Sequence, residues 1–206
     1  MNKKNIVFIR HAESQANAGS STENAHSISL SSKGILQAEK LAEIFPFEPQ
    51  LIIVSEFLRT QETAAPLISK LPDVKVETWN MIHEFTYLDR EKHKNTTAAE
   101  RKKYVHEYWE RNDPFYKDGP QEESFFDLLK RGESFFEKLK EQKENKIAIF
   151  SHGQFLISLK VIKKMNTRTN TLNALELTKL MTTFKKLIET TPLKNTGVIT
   201  LKELSD

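Results

Sequence analysis

The sequence predicts an α/β three-layer sandwich: a mostly parallel central sheet flanked by helices, with a helical insertion. Three observations carry this. Ile6-Val7-Phe8-Ile9, Leu51-Ile52-Ile53-Val54 and Ile147-Ala148-Ile149-Phe150 are continuously apolar, the pattern of strands covered on both faces. Segments with helical spacing lie between them. Strand, helix and strand in alternation imply right-handed crossovers and a layered α/β fold.

Taken in order, the polar stretch Met1 to Asn5 runs straight into the first apolar run and is too short for a signal peptide. Ser32 is placed to cap a helix in which Ile35, Leu36, Leu41, Ile44 and Phe45 recur at helical spacing. Leu58, Ala65 and Ile68 mark a helix after the second run, ending before Pro72. Val74-Lys75-Val76 reads as a further short strand. From about Tyr87 to Glu141 the chain turns charged and aromatic, with helices expected over Thr97 to Arg111 and Glu122 to Lys140. Asp113-Pro114 and Asp118-Gly119-Pro120 separate the two. This stretch reads as an insertion in one domain spanning residues 1–206, a lid or substrate wall. Within it Phe125, Phe126, Leu128, Leu129, Phe135, Phe136 and Leu139 recur as core positions, and Tyr104, Tyr108, Trp109, Phe115 and Tyr116 read mostly as helix packing. After His152 come another helix or two, a break at Pro192 and a last strand over Gly197 to Leu201.

Composition narrows the classes. With 206 residues, 38% hydrophobic and 29% charged, the chain can bury a core without disulfides, and it contains no cysteine. The absence of cysteine excludes thiolate metal sites and fits a reducing, cytoplasmic setting. No apolar run is long enough to span a bilayer, so no membrane role is expected. A formal charge of +3 is small, and Lys138 to Lys146 and Lys160 to Lys164 read as solvated helix faces rather than a nucleic-acid groove. Oligomeric state leaves no readable signal.

The chemistry collects after the apolar runs. The first ends in Arg10-His11, the second at Ser55 with Arg59 one turn on, and the fourth in Ser151-His152-Gly153. Ligands of parallel sheets bind beyond the carboxyl ends of the strands. If the three runs are parallel neighbours, two histidines and two arginines converge there. Helix N-termini near Ala12, Phe57 and Gly153 would add backbone N–H groups. Two guanidinium forks suit a phosphate dianion, and a histidine among them can take the phosphoryl group and split one displacement into two. His26, His83, His93 and His106 have no partner spacing that argues for a site.

These residues resemble a known family. Phe8-Ile9-Arg10-His11-Ala12-Glu13-Ser14-Gln15-Ala16-Asn17 is similar to the signature of the histidine phosphatase (phosphoglycerate mutase-like) superfamily. Leu30-Ser31-Ser32-Lys33-Gly34 with Gln37-Ala38, Ser55 to Ala64, Glu123-Ser124-Phe125 with Arg131, and Ser151-His152-Gly153 follow in the family's order. The resemblance implies His11 as nucleophile, Arg10, Arg59 and His152 as the rest of a phosphate pocket, and Asn17 as a further phosphate contact. It implies an acidic proton donor after the third strand, for which Met81-Ile82-His83-Glu84-Phe85 offers Glu84; Glu77, Asp89 and Glu91 lie nearby. Where the family usually has glycine after the nucleophile, this chain has Ala12, and slight crowding of the phosphate is expected there.

Four functions compete. A phosphomonoester hydrolase working through phosphohistidine on His11, without metal or other cofactor and on a small-molecule substrate, is preferred. A phosphoglycerate mutase-type phosphotransferase is the alternative. Mutases of the family typically carry a Gly-Trp stretch after the signature, where this chain has Ala18 to His26. A non-catalytic phosphate- or phosphoprotein-binding module would not need a nucleophile. A His/carboxylate metallohydrolase lacks any His-x-His or His-x-x-x-His pair, and two arginines would repel its ion. The pocket for the organic part is expected from Ala18 to Ser29 and Tyr87 to Glu122.

Overall fold

The computed structural model describes residues 4–165 and 167–204, so of the N-terminal stretch residues 1–3 lie outside the described residues. Five strands form one sheet: β1 (Asn5–Arg10), β2 (Leu51–Val54), β3 (Lys75–Thr78), β4 (Lys146–Ser151) and β5 (Val198–Thr200), in the order β3-β2-β4-β1-β5. Strands β1 to β4 run parallel, and β5 closes the far edge antiparallel to β1. The last strand of the parallel set, β4, inserts between β1 and β2. Register then aligns their ends, with Arg10 opposite Ser151 and Val54 opposite Phe150.

The apolar runs alternate between two cores. Val7, Ile9, Ile52, Val54, Ala148 and Phe150 face one cluster, which takes Leu41 and Ala42 of α1 (Ser32–Glu43) and Ala64 and Leu67 of α2 (Leu58–Lys70). Ile6, Phe8, Leu51, Ile53, Ile147 and Ile149 face the other. That core takes Phe135 and Leu139 of α5 (Phe125–Glu141), Phe155, Leu156 and Leu159 of α6 (Gly153–Lys164), and Met181 and Phe184 of α7 (Ala174–Thr190). Helices therefore cover both faces, which gives the expected three layers. Each large side chain so buried contributes about 1.5–3 kcal/mol.

Three sequence expectations change in detail. The cap of α1 is Ser31, one residue earlier than Ser32: its Oγ accepts from Gly34 N at 3.0 Å and donates to Glu13 Oε1 at 2.9 Å. On α1 the large residues Ile35, Leu36 and Ile44 are 51%, 66% and 68% exposed. The small face of Gly34, Ala38 and Ala42 packs inward instead, because α1 approaches so closely that a Cβ on Gly34 would lie 2.0 Å from the Glu13 carbonyl oxygen. The third change concerns the charged aromatic stretch. Its first helices are α3 (Arg90–His93) and α4 (Lys102–Arg111), ended by Asn112 in the left-handed region at φ 48°. Its last helix, α5, starts later than expected because Ser124 and Asp127 form a capping box. Helix α5 lies on the sheet itself, with the Phe135 ring 6.1 Å from Phe8 and 6.0 Å from Trp79, so only the part before Ser124 stands off the layers. Tyr87, Tyr108 and Trp109 fasten that part to Phe85 and Phe184.

Candidate active site

The register of β1, β2 and β4 carries three strand ends to one edge of the sheet. His11 N donates to Ser151 O at 3.0 Å and Ser55 N to Phe150 O at 3.2 Å, so the residues after each run continue side by side. Arg59, the second residue of α2, turns back over this edge. Its Nε donates to His11 Nε2 at 3.2 Å and its Nη1 to the Ala25 carbonyl at 2.8 Å, while Nη2 meets His152 Nδ1 at 3.2 Å. The two imidazole centroids are 5.2 Å apart. All three side chains are buried, with Arg59 only 7% exposed.

The guanidinium can only donate, and this fixes the tautomers. His11 Nε2 and His152 Nδ1 must present lone pairs to Arg59. The protons then sit on His11 Nδ1, which donates to Ala12 O at 2.7 Å, and on His152 Nε2, which donates to Ser55 Oγ at 3.0 Å. Burial, then the charge of Arg59, push both imidazoles well below the ordinary value of 6.5. Arg59 is itself lowered by burial to about 10, with Glu84 opposing the shift and Arg10 adding to it. Arg10 is lowered by burial against the pull of Glu84; its Nη1 donates to Leu193 O at 2.5 Å and its Nε has no partner. The site therefore holds two cations and two neutral imidazoles, each of which offers an unprotonated nitrogen to Arg59.

This has a consequence for stability. As pH falls past 6.5 the unfolded chain binds protons that these two histidines refuse in the folded state. Their contribution is thus full above about 6.5 and is lost below it, by about 1.4 kcal/mol per pH unit for each histidine that stays neutral. Urea midpoints between pH 7.5 and 5 should fall more steeply for the parent than for a His11→Asn/His152→Asn double variant; equal slopes would contradict the neutral pair.

Glu84 enters from the segment after β3. Its Oε1 accepts from Gln154 N and Phe155 N, each at 3.1 Å, and from Phe85 N at 3.0 Å. Arg131 braces this segment from α5: Nη1 donates to Met81 O at 2.8 Å and His83 O at 3.0 Å, and Nε and Nη2 grip Glu123 at 2.7 and 2.8 Å. Among the nearby acids, Glu77 accepts from Trp79 Nε1 and pairs with Lys75 at the sheet edge, Asp89 caps α3 and Glu91 is exposed. Only Glu84 is coupled to both Arg10 and Arg59.

Two of the three expected helix starts are present, α2 at Leu58 and α6 at Gly153, whereas no helix begins at Ala12 and the next is α1. Phe57 N donates to Ser55 Oγ at 3.3 Å, and the second and third N–H groups of α6, those of Gln154 and Phe155, donate to Glu84. Ala12 has no positive φ, its N donates to Thr63 Oγ1 at 2.9 Å, and it packs with Leu30 and Ala38. Asn17 is exposed and lies one step out: its Oδ1 accepts from Ser14 N at 3.3 Å and from Asn195 Nδ2 at 3.2 Å, and Asn195 Nδ2 also donates to His11 O at 2.9 Å. Sequence reasoning gave no role to Asn195, which is remote in the chain and outside any motif, nor to Ser55 and Thr63, which stand within a quoted motif. His83 and His26 flank the Phe57 ring at 5.8 and 4.5 Å. Among the described residues no three His, Asp or Glu side chains are grouped to hold a metal ion, and no helix is long and apolar enough to cross a membrane.

Residues 6–179 match the histidine phosphatase superfamily (branch 1). No curated protein matches the chain in sequence. Solved structures do match in fold. A mycobacterial glucosyl-3-phosphoglycerate phosphatase superposes with a TM-score of 0.67 at 20% identity, over 95% of this chain and 88% of that one. Phosphoserine phosphatase from Entamoeba histolytica, in complex with 3-phosphoglyceric acid, gives 0.64 at 18% identity over 95% and 89%. The α-ribazole phosphatase from Shigella flexneri gives 0.64 at 24% identity over 81% and 82%.

Proposed function

The chain belongs to the histidine phosphatase superfamily, branch 1, and on that footing we propose that it hydrolyses small phosphomonoesters without a metal ion, carrying the phosphoryl group on His11. The observation that carries this reading is Arg59 spanning two buried imidazoles whose facing nitrogens are both lone pairs. Such a guanidinium can turn its donors to the equatorial oxygens of a phosphate while His11 Nε2 attacks phosphorus.

In the first step the His11 Nε2 lone pair forms the P–N bond, the P–O bond to the alcohol breaks, and protonated Glu84 gives its proton to the departing oxygen. In the second, water attacks phosphorus in line, Glu84 takes its proton, and the P–N bond breaks with its electron pair returning to Nε2. Arg10 and Arg59 offset the charge in both steps. His152 donates to a phosphoryl oxygen from Nδ1 once that nitrogen has taken the proton of a phosphate bound as its monoanion, with Ser55 Oγ holding the proton on Nε2. Asn17 and Asn195 support the loop of His11, and the stretch from Tyr87 to Glu122 walls the substrate side.

A panel of phosphomonoesters with phosphate detection tests the reaction, and an alkaline denaturing quench, in which a phosphoramidate survives, tests the intermediate. Phosphate release with label retained on His11 is expected. Absence of both defeats the proposal, and 2-phosphoglycerate formed from 3-phosphoglycerate with negligible free phosphate would make the enzyme a mutase. A strong chelator should leave rates unchanged; loss reversed by zinc or manganese would contradict the metal-free mechanism. Glu84→Gln should slow alkyl phosphates about 100-fold or more while nitrophenyl phosphate, which needs little protonation, loses only a few-fold. Equal losses on both would move the proton donor elsewhere.

A further inference from the structure

If Glu84 protonates the departing oxygen, the alcohol must lie beside Glu84, and a cavity of about 310 Å³ opens there. Arg10 and Glu84, which belong to the site described above, line one part of it. Its other walls include Tyr87 and Trp109 from the insertion, Gln154 and Ile157 from α6, Ile188 from the end of α7, and Leu193, and the Gln154 Oε1 is buried with no hydrogen-bond partner. The last four lie outside both segments expected from the sequence to form this pocket.

We propose that this cavity seats the leaving alcohol and selects an uncharged, largely apolar one, so that preferred substrates carry no anionic group besides the phosphate. The inference rests on the phosphatase reading above. The charged side chains of the lining are Arg10, Glu84 and Glu189; no lysine or histidine lines it. Arg10 is held by the Leu193 carbonyl, feels the charge of Glu84, and is committed to the phosphoryl group. A carboxylate on the alcohol would therefore meet Glu84 and Glu189 with no spare cation, and like charges facing one another disfavour binding. Arg101, a cation of the insertion, acts on Tyr87. It does not line the cavity, and its Nη1 donates to Thr96 O at 2.6 Å and Thr96 Oγ1 at 3.0 Å. Tyr87, buried and with its hydroxyl held above the ordinary tyrosine value chiefly by that burial, brings a ring and a neutral hydroxyl to the wall. The volume is at the small end for ligand sites, room for one ring or a short branched chain.

The test uses the full chain and four primary-alkyl monoesters: 2-phenylethyl phosphate, 3-methylbutyl phosphate, phosphoserine and 3-phosphoglycerate. The neutral pair should exceed the carboxylated pair in kcat/KM by about 100-fold or more. Glu189 is exposed, so Glu189→Lys should fold, and it should raise 3-phosphoglycerate relative to 2-phenylethyl phosphate by roughly ten-fold. Equal or higher kcat/KM for the carboxylated esters overturns the proposal, as does an unchanged ratio in Glu189→Lys. If no ester is hydrolysed and no label is retained on His11, the phosphatase reading itself fails, and the specificity proposal with it.

Discussion

Replacing His11 by alanine is expected to lower kcat by about 10,000-fold or more and to remove all retained phosphoryl label. The size follows from the site's chemistry. His11 Nε2 and His152 Nδ1 both face Arg59 as lone pairs, and the attack is given to His11 because it is the histidine of the Arg10-His11 signature. Without His11 the remaining groups can bind and polarise a phosphate but cannot divide its transfer into two steps. The measurement is a single-turnover assay with labelled substrate alongside steady-state phosphate release. A His11→Ala protein within ten-fold of the parent, or still labelled, would assign the nucleophile to another residue.

Arg59→Ala is the second large effect. It should cost about 3–4 kcal/mol of transition-state stabilisation, roughly 100- to 1000-fold in kcat/KM, because one side chain serves both imidazoles and the anion. Arg59→Lys should recover little, since an ammonium is a point charge and cannot span three partners. A second readout separates this from simple loss of fold. The charge of Arg59 is the largest cause after burial holding both imidazoles down. Its removal lets both rise toward 6.5, so the acid limb of the pH–rate profile should move to higher pH in Arg59→Ala. Profiles from pH 5 to 8 check this, and an unmoved limb would mean that Arg59 does not set the protonation of the pair.

The site is unevenly legible in the sequence, for physical reasons. Arg10-His11, Ser55 with Arg59, and Ser151-His152 were readable because each follows directly on a buried strand, and strand ends are a local property. The inward face of α1 was misread because Ile35 and Leu36 looked like core, whereas the contact with Glu13 admits only the glycine side of the helix. Helix α5 looked like part of an insertion because it follows a charged stretch, although Phe135 packs on Phe8 of β1. Asn195 gave no signal at all: its role depends on a loop returning beside His11 from 184 residues away.

One dimension was enough for the strands, most helices, and the two arginines and two histidines, because apolar runs and the residues that end them interact with near neighbours. Three-dimensional packing was needed for the rest. The insertion of β4 between β1 and β2 brings the two imidazoles to 5.2 Å, Arg59 dictates their tautomers by having only donors to offer, and two N–H groups in the first turn of α6 hold Glu84. Those outcomes depend on which distant groups share a small buried volume, and spacing along the chain carries no record of that.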